Sequence, residues 1–138
     1  RMQLSRRAIP YTPFTKELSG ATIALLSTAG VHLKSQTPYN VDGDNSYREI
    51  PGDVSAGDLT VTHNHYDTSQ ALQDINCVFP IDRLRELQRD GVIGGVAPMH
   101  YGMMGYTLRM RQVIEETAPE IAQKIERSPT DAVLLTGG

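Results

Sequence analysis

The sequence predicts an α/β fold in which a mainly parallel sheet carries helices on both faces. Three observations carry that prediction. Four short apolar runs, ATIALLS (21–27), DLTVTH (58–63), VIGGVAP (92–98) and AVLLTG (132–137), lack the polar alternation of a half-exposed strand and read as strands buried on both sides. Helical patterns fall between the later runs, and strands alternating with helices imply parallel pairing. The 138 residues are also enough to bury a core without disulfides or a structural metal. The expected layout is three-layered, Rossmann-like or flavodoxin-like, with residues 1–138 forming a single α/β domain.

The elements follow in order. After the first run, Ser27, Thr28, Ala29 and Gly30 are small enough to let backbone approach a ligand, and their successive amides could hold an anion. Residues 30–57 are rich in Gly, Asp, Asn, Ser and Pro, and read as one long loop, either functional or disordered. In PIDRLRELQRD, Pro80 suits a first helical turn, Ile81, Leu84 and Leu87 form an apolar stripe, and Gly91 can end the helix. Leu108, Val113 and Ile114 begin a second helical pattern. Thr117 and Glu120 are spaced as a capping box with Pro119 in the first turn, which predicts a new helix from Ala118 to about Arg127.

Composition narrows the function. No apolar run approaches the roughly 18 residues of a membrane helix. The start, RMQLSRRAIPYTPF, has no apolar core of a secretory signal, so a cytoplasmic location is expected. The net charge of -3 spreads over both halves, and no basic stripe interleaves with aromatics, so no nucleic-acid partner is expected. One cysteine, Cys77, cannot form an internal disulfide; beside Val78 and Phe79 it reads as a small buried hydrophobe.

The histidines suggest a site. On this scheme His32 follows the first strand, His63 and His65 end the second, and His100 follows the third, so all four lie beyond carboxyl ends of strands, the edge where open α/β sheets bind ligands. His32 and Lys34 suit a carboxylate-bearing substrate. Arg48 could grip a carboxylate with two parallel hydrogen bonds, or pair with Glu49 at the surface. In THNHYD, His63 and His65 share one side of an extended chain and Asp67 extends the set. Such a pair can ligate Zn or Fe with a further ligand such as His100 or His32, serve acid/base chemistry, hydrogen-bond a substrate, or simply satisfy backbone groups. MHYGMMGY reads as adaptable core packing or as an apolar pocket wall.

Five segments together, STAGVHLKSQ, GDNSYREIP, HNHYD, INCVFPIDRLREL and DAVLLTGG, occur in an order and spacing that resembles the selenoprotein B family of glycine, sarcosine, betaine and D-proline reductases, over nearly the whole chain from about Ala21. In size the chain is closest to the family's small D-proline-reductase-type subunits and their relatives. The resemblance implies reductive cleavage of a carbon–nitrogen bond in a small amino acid or amine. A pyruvoyl group on a partner subunit activates the amine, a selenolate attacks carbon, a thiol resolves the selenoether, and a dithiol donor regenerates the enzyme. This chain itself is expected to carry no cofactor, and no metal is required, although His63 and His65 leave a metal-dependent hydrolase or lyase as an alternative. A non-redox ligand-binding or assembly component is another.

In the family, the strand that AVLLTG resembles runs into a loop holding selenocysteine or cysteine. The resemblance therefore implies a chain truncated before that residue, through a selenocysteine codon read as stop, and inactive in redox turnover as it stands; a cut at an exposed tip is the competing explanation. Cys77 does not occupy the redox position. Ser27, Thr28, His32, Lys34, Arg48, His63, His65, His100, Thr136 and Gly137 are expected to line the pocket and orient substrate or chalcogenide. Apolar sheet surface left uncovered beside the last strand implies a homo-oligomer or a covering partner.

Overall fold

A computed structural model describes residues Tyr11–Gly138; the first ten residues, most of the basic start, lie outside it. The fold is a mixed α/β arrangement around a curled, mainly parallel five-stranded sheet. Its strands are β1 (Thr22–Ser27), β3 (Tyr47–Pro51), β5 (Gly95–Val96), β6 (Met99–Met103) and β7 (Ala132–Thr136). β1 is central. It pairs in parallel with β7 along one edge and with β5 and then β6 along the other, while β3 joins β6 antiparallel. A strand flanked on both edges buries its peptide groups and needs apolar side chains on both faces. Ile23, Ala24 and Leu25 are accordingly buried.

Both faces carry helix. Below, α1 (Ser69–Gln73) and α2 (Ile81–Arg89) contribute Ala71, Ile81 and Leu84, which close with Phe79 over Ile23 and Leu25. A buried Phe or Leu contributes about 2–3 kcal/mol, so this cluster dominates the stability. Above, α4 (Ala118–Glu126) places Ile121 against Tyr101 and Met103, with Leu26 beside them. Lys124 bonds Glu49 at 2.6 Å and Glu120 accepts from the Tyr47 hydroxyl at 2.7 Å, fastening α4 to edge strand β3.

The fold departs from the expected one in four places. The run 58–63 is not part of the parallel sheet. Leu59–Val61 form β4, which pairs antiparallel with β2 (Val31–Leu33) in a separate two-stranded ribbon. The supposed long loop 30–57 therefore contains two strands, β2 and β3. β2 is only three residues long and β3 buries one residue of five, which is why periodicity missed them. MHYGM forms β6, an internal strand whose histidine and glycine disguise it. Finally, Thr117 caps nothing. It sits in helical conformation and its hydroxyl donates to the Asn45 carbonyl at 2.8 Å. Helix runs on from α3 (Met110–Gln112) through a π turn, Val113–Thr117, into α4. Pro119 has no N–H for the Glu115 carbonyl, and the wide turn accommodates that loss.

Two close approaches hold these parts in register. Pro98 interrupts the strand passing along β1, so the Leu25 amide finds no backbone acceptor there. The His100 ring fills the gap, its Nδ1 accepting from Leu25 N at 2.8 Å. The hydrogen of neutral His100 thus sits on Nε2, which is buried without a partner among the described residues. Burial pushes this imidazole down to about 4, and the Arg85 charge acts the same way. The second approach is at Gly102, where an added Cβ would lie 2.1 Å from the Val31 carbonyl oxygen; glycine lets β6 touch the ribbon.

Two outcomes follow. The unfolded chain protonates His100 near 6.5 while the folded chain resists until about 4, so the contribution of this group to stability is constant above pH 7 and falls by about 3 kcal/mol between those values. Urea titrations across pH should show this, and His100→Asn, whose Oδ1 can replace Nδ1 without titrating, should remove that component. Gly102→Ala should destabilise by about 3 kcal/mol or more, because backbone rather than a flexible side chain must yield; chemical denaturation measures it.

Candidate functional site

The carboxyl ends of β1, β6 and β7 meet the segment that leaves β4. Thr28 N donates to Thr136 O at 3.0 Å and Gly105 N to Thr28 O at 2.8 Å, so three strand ends share one turn. Thr62 N reaches Gly30 O at 2.9 Å, and the Tyr66 hydroxyl donates to Ala29 O at 2.9 Å. Gly30 makes this approach possible. Its φ of 83° suits glycine, and a Cβ there would stand 2.3 Å from Thr62 O.

On this base sit four rings. His63 and His65 lie 5.6 Å apart edge to face, Tyr66 packs on His63 at 4.8 Å, and Tyr106 lies 3.8 Å from His65. The end of β7 touches the same cluster: a Cβ on Gly138 would fall 2.5 Å from the Tyr66 ring, and one on Gly137 3.5 Å from Thr28 Oγ1. His63 Nδ1 accepts from His65 N at 3.0 Å, which puts the hydrogen of its neutral form on Nε2. Partial burial, then the neighbouring His65 charge, holds His63 below the usual imidazole range. Burial holds the Tyr66 phenol above its usual value, so it stays protonated at neutral pH. The cluster thus offers a neutral imidazole donor beside a strand end.

The structure brings Thr28, His63, His65, Thr136 and Gly137 to this rim and disperses the rest. Ser27 and Thr136 turn their hydroxyls inward to one acceptor, Val78 O, at 2.9 and 2.6 Å. His32 lies on β2, 2% exposed, behind the rim. His100 is a core residue of β6, so the four histidines do not share one sheet edge. Lys34 bonds Gly57 O at 2.6 Å and lines a different hollow of about 370 Å³ with Thr60 and Asp82. Arg48 donates to Thr37 O, Ser46 Oγ and Tyr47 O and lies 4.4 Å over the Tyr39 ring, folding the 37–46 loop; Glu49 pairs with Lys124 instead. The amides expected to hold an anion are engaged, Thr28 N by Thr136 O, Ala29 N by Ser27 Oγ and Gly30 N by Met103 O.

Asp67 turns away to accept from Ser69 N at 3.0 Å, a bond that lowers its carboxyl pKa. Among the described residues no group of three or more His, Cys, Asp or Glu converges as a metal set. Cys77 is exposed, contrary to the buried reading, because the short helical turn Ile75–Cys77 buries Ile75 instead. In MHYGMMGY, Met103 and Met104 are core, as the packing reading expects, while Tyr106 lies against the His65 ring. Sequence reasoning passed over Tyr66 and Tyr106 as site residues. The signal was their position, one directly after the histidine pair and the other after Gly105 at a strand exit.

The family model described as Glycine/sarcosine/betaine reductase selenoprotein B (GRDB) matches residues 2–138. D-proline reductase subunit gamma of Acetoanaerobium sticklandii is 47% identical over 128 residues, 93% of this chain and 53% of that protein. Glycine reductase complex component B subunit gamma of Symbiobacterium thermophilum is 31% identical over 134 residues, 93% of this chain and 31% of that one. Sarcosine reductase complex component B subunit beta of Peptoclostridium acidaminophilum is 32% identical over 95 residues, 64% and 22% of the two chains. The chain thus spans 53% of the first relative's length and 31% of the second's. No solved structure matches it. With the family model covering it from end to end, the chain belongs to the glycine/sarcosine/betaine reductase selenoprotein B family.

Proposed function

We propose that this chain is part of a subunit of a reductase that cleaves a carbon–nitrogen bond in a small amino acid or related amine, with the His63–His65 rim beside its reactive chalcogen. The observation that carries the reading is a coincidence of place. In this member of a reductase selenoprotein family, Gly138 leaves β7 against Tyr66, one ring away from His63.

The chemistry fits that position. In this reading a selenocysteine or cysteine reached from the end of β7 attacks the carbon bearing nitrogen. The chalcogen–carbon bond forms as the carbon–nitrogen bond breaks, the electron pair leaves on nitrogen, and nitrogen takes up a proton. A thiol then attacks the chalcogen, releasing the carbon product with a proton, and a dithiol donor reduces the mixed bond. Neutral His63, with its hydrogen on Nε2, can hydrogen-bond the chalcogenolate, and a bond to a charged acceptor contributes about 1.5–3 kcal/mol. A pyruvoyl group on a partner subunit supplies an electrophilic carbonyl for the substrate amine; no residue of this chain need carry it.

The same reading extends to the assembly. The relatives named as complex components support partner subunits. Among the described residues β7 pairs on one side only and leaves Leu134 and Leu135 exposed, which supports a homo-oligomer or a partner seated there. A three-layer, doubly wound arrangement of the complete protein and a cytoplasmic location belong to the proposal as well. No helix among the described residues is long and apolar enough to cross a membrane.

The test uses the full-length protein assembled with its partner subunits. His63→Ala combined with His65→Ala should lower reductive turnover of the amine by about a hundredfold or more while leaving assembly intact. Turnover unchanged by the double variant would overturn the role given to the rim. Stoichiometric Zn or Fe in the unaltered protein, removed by chelation and lost in the double variant, would favour metal chemistry instead.

A further inference from the structure

The two histidines of the rim do not hold themselves in place. They lie in a turn segment with no strand or helix of its own, between β4 and α1. Beside the Tyr66 hydroxyl bond to Ala29 O on the far side of the pair, its anchor on the near side is Thr62, the residue before His63. Thr62 N bonds Gly30 O at 2.9 Å, and Thr62 Oγ1 lies 2.7 Å from His32 Nε2.

His32 is built for one orientation. Its Nδ1 stands 2.7 Å from the carbonyl oxygen of Leu33, which can only accept, so Nδ1 carries the hydrogen. In the neutral ring Nε2 is therefore an acceptor, and the Thr62 hydroxyl is the donor that meets it. The ring is 2% exposed, and Tyr39 packs edge-on against it at 5.5 Å. Tyr39 is itself fixed by its hydroxyl bond to Val31 O at 2.9 Å and by Arg48 over its face. Arg48, Tyr39, His32 and Thr62 thus form a continuous stack that ends one residue before His63.

We infer that His32 is a positioning residue, which through the Thr62 hydroxyl sets where the His63 and His65 rings stand. This rests on the rim being the working site, but the geometric claim can be tested without turnover. A segment lacking its own secondary structure takes its position from such anchors, and a misplacement of about 1 Å at a reacting centre can lower the rate a hundredfold.

The experiment is nitrogen NMR on the full-length protein with histidine ring nitrogens labelled. Thr62→Val keeps the shape and removes the hydroxyl. It should abolish the His63 Nδ1 acceptor signature and the ring-to-ring NOE between His63 and His65, and Thr62→Ser should restore both. His32→Asn keeps a donor toward Leu33 O, removes the acceptor facing Thr62, and should repeat the loss. Should Thr62→Val fail to fold, the His32→Asn and Thr62→Ser pair gives the answer. Unchanged His63 and His65 signals in a folded Thr62→Val or His32→Asn protein overturn the inference. Displaced rings with undiminished reductive turnover support the positioning and count against the rim's chemical role, so the two failures are distinct.

Discussion

Backbone meets backbone where the small ribbon lies against the main sheet, and everything at the rim depends on the missing side chains there. Gly102 lets β6 touch Val31 O, and Gly30 lets the segment after β4 lie on the turn that ends β1. A single methyl at either point would collide with a carbonyl oxygen closer than 2.5 Å. Without that approach the ribbon would stand off, and His63 and His65 would have no floor.

Part of the fold was legible because apolar runs leave a plain signature, although β7, expected to be buried on both faces, leaves Leu134 and Leu135 exposed. β1, β7 and α2 emerge from the apolar runs and the stripe Ile81, Leu84, Leu87 with little shift at their ends. The ribbon was misplaced for a physical reason. Leu59 and Val61 look like a core strand, yet their partner β2 is three residues long and contains His32, and antiparallel pairing depends on a contact 28 residues distant that no local pattern encodes. β6 was hidden because its histidine does a backbone's work and its glycine makes room for another strand. Thr117 looked like a cap because spacing alone cannot reveal that the helix had already begun.

The site was half legible. Naming the histidines as one group was sound for His63 and His65, which share a turn, and failed for His32 and His100, which are buried and bond internal groups. In each of the latter two a ring nitrogen replaces something the fold lacks: a backbone acceptor for Leu25 N, and an anchor for Thr62. Arg48 was likewise given to a ligand by its type, while the structure uses it to order carbonyls of its own loop. Polar residues among turn formers are ambiguous in sequence because a backbone without regular partners makes the same demands as a substrate.

The wide turn at Val113–Thr117 has a consequence for anyone aligning or editing this region. A π turn holds one residue more than the α-helix around it, so shortening the chain there by one looks like a harmless tidying of the helix. It is not. Removing that residue would swing the preceding turn by about 100° about the axis, carrying Gln112 away from Asn45, to which it is bonded at 2.8 Å. It would also restore the geometry in which the Pro119 ring collides with the carbonyl four residues earlier. Length here is fixed by a proline several positions downstream, and gaps placed in this stretch should be judged by that ring.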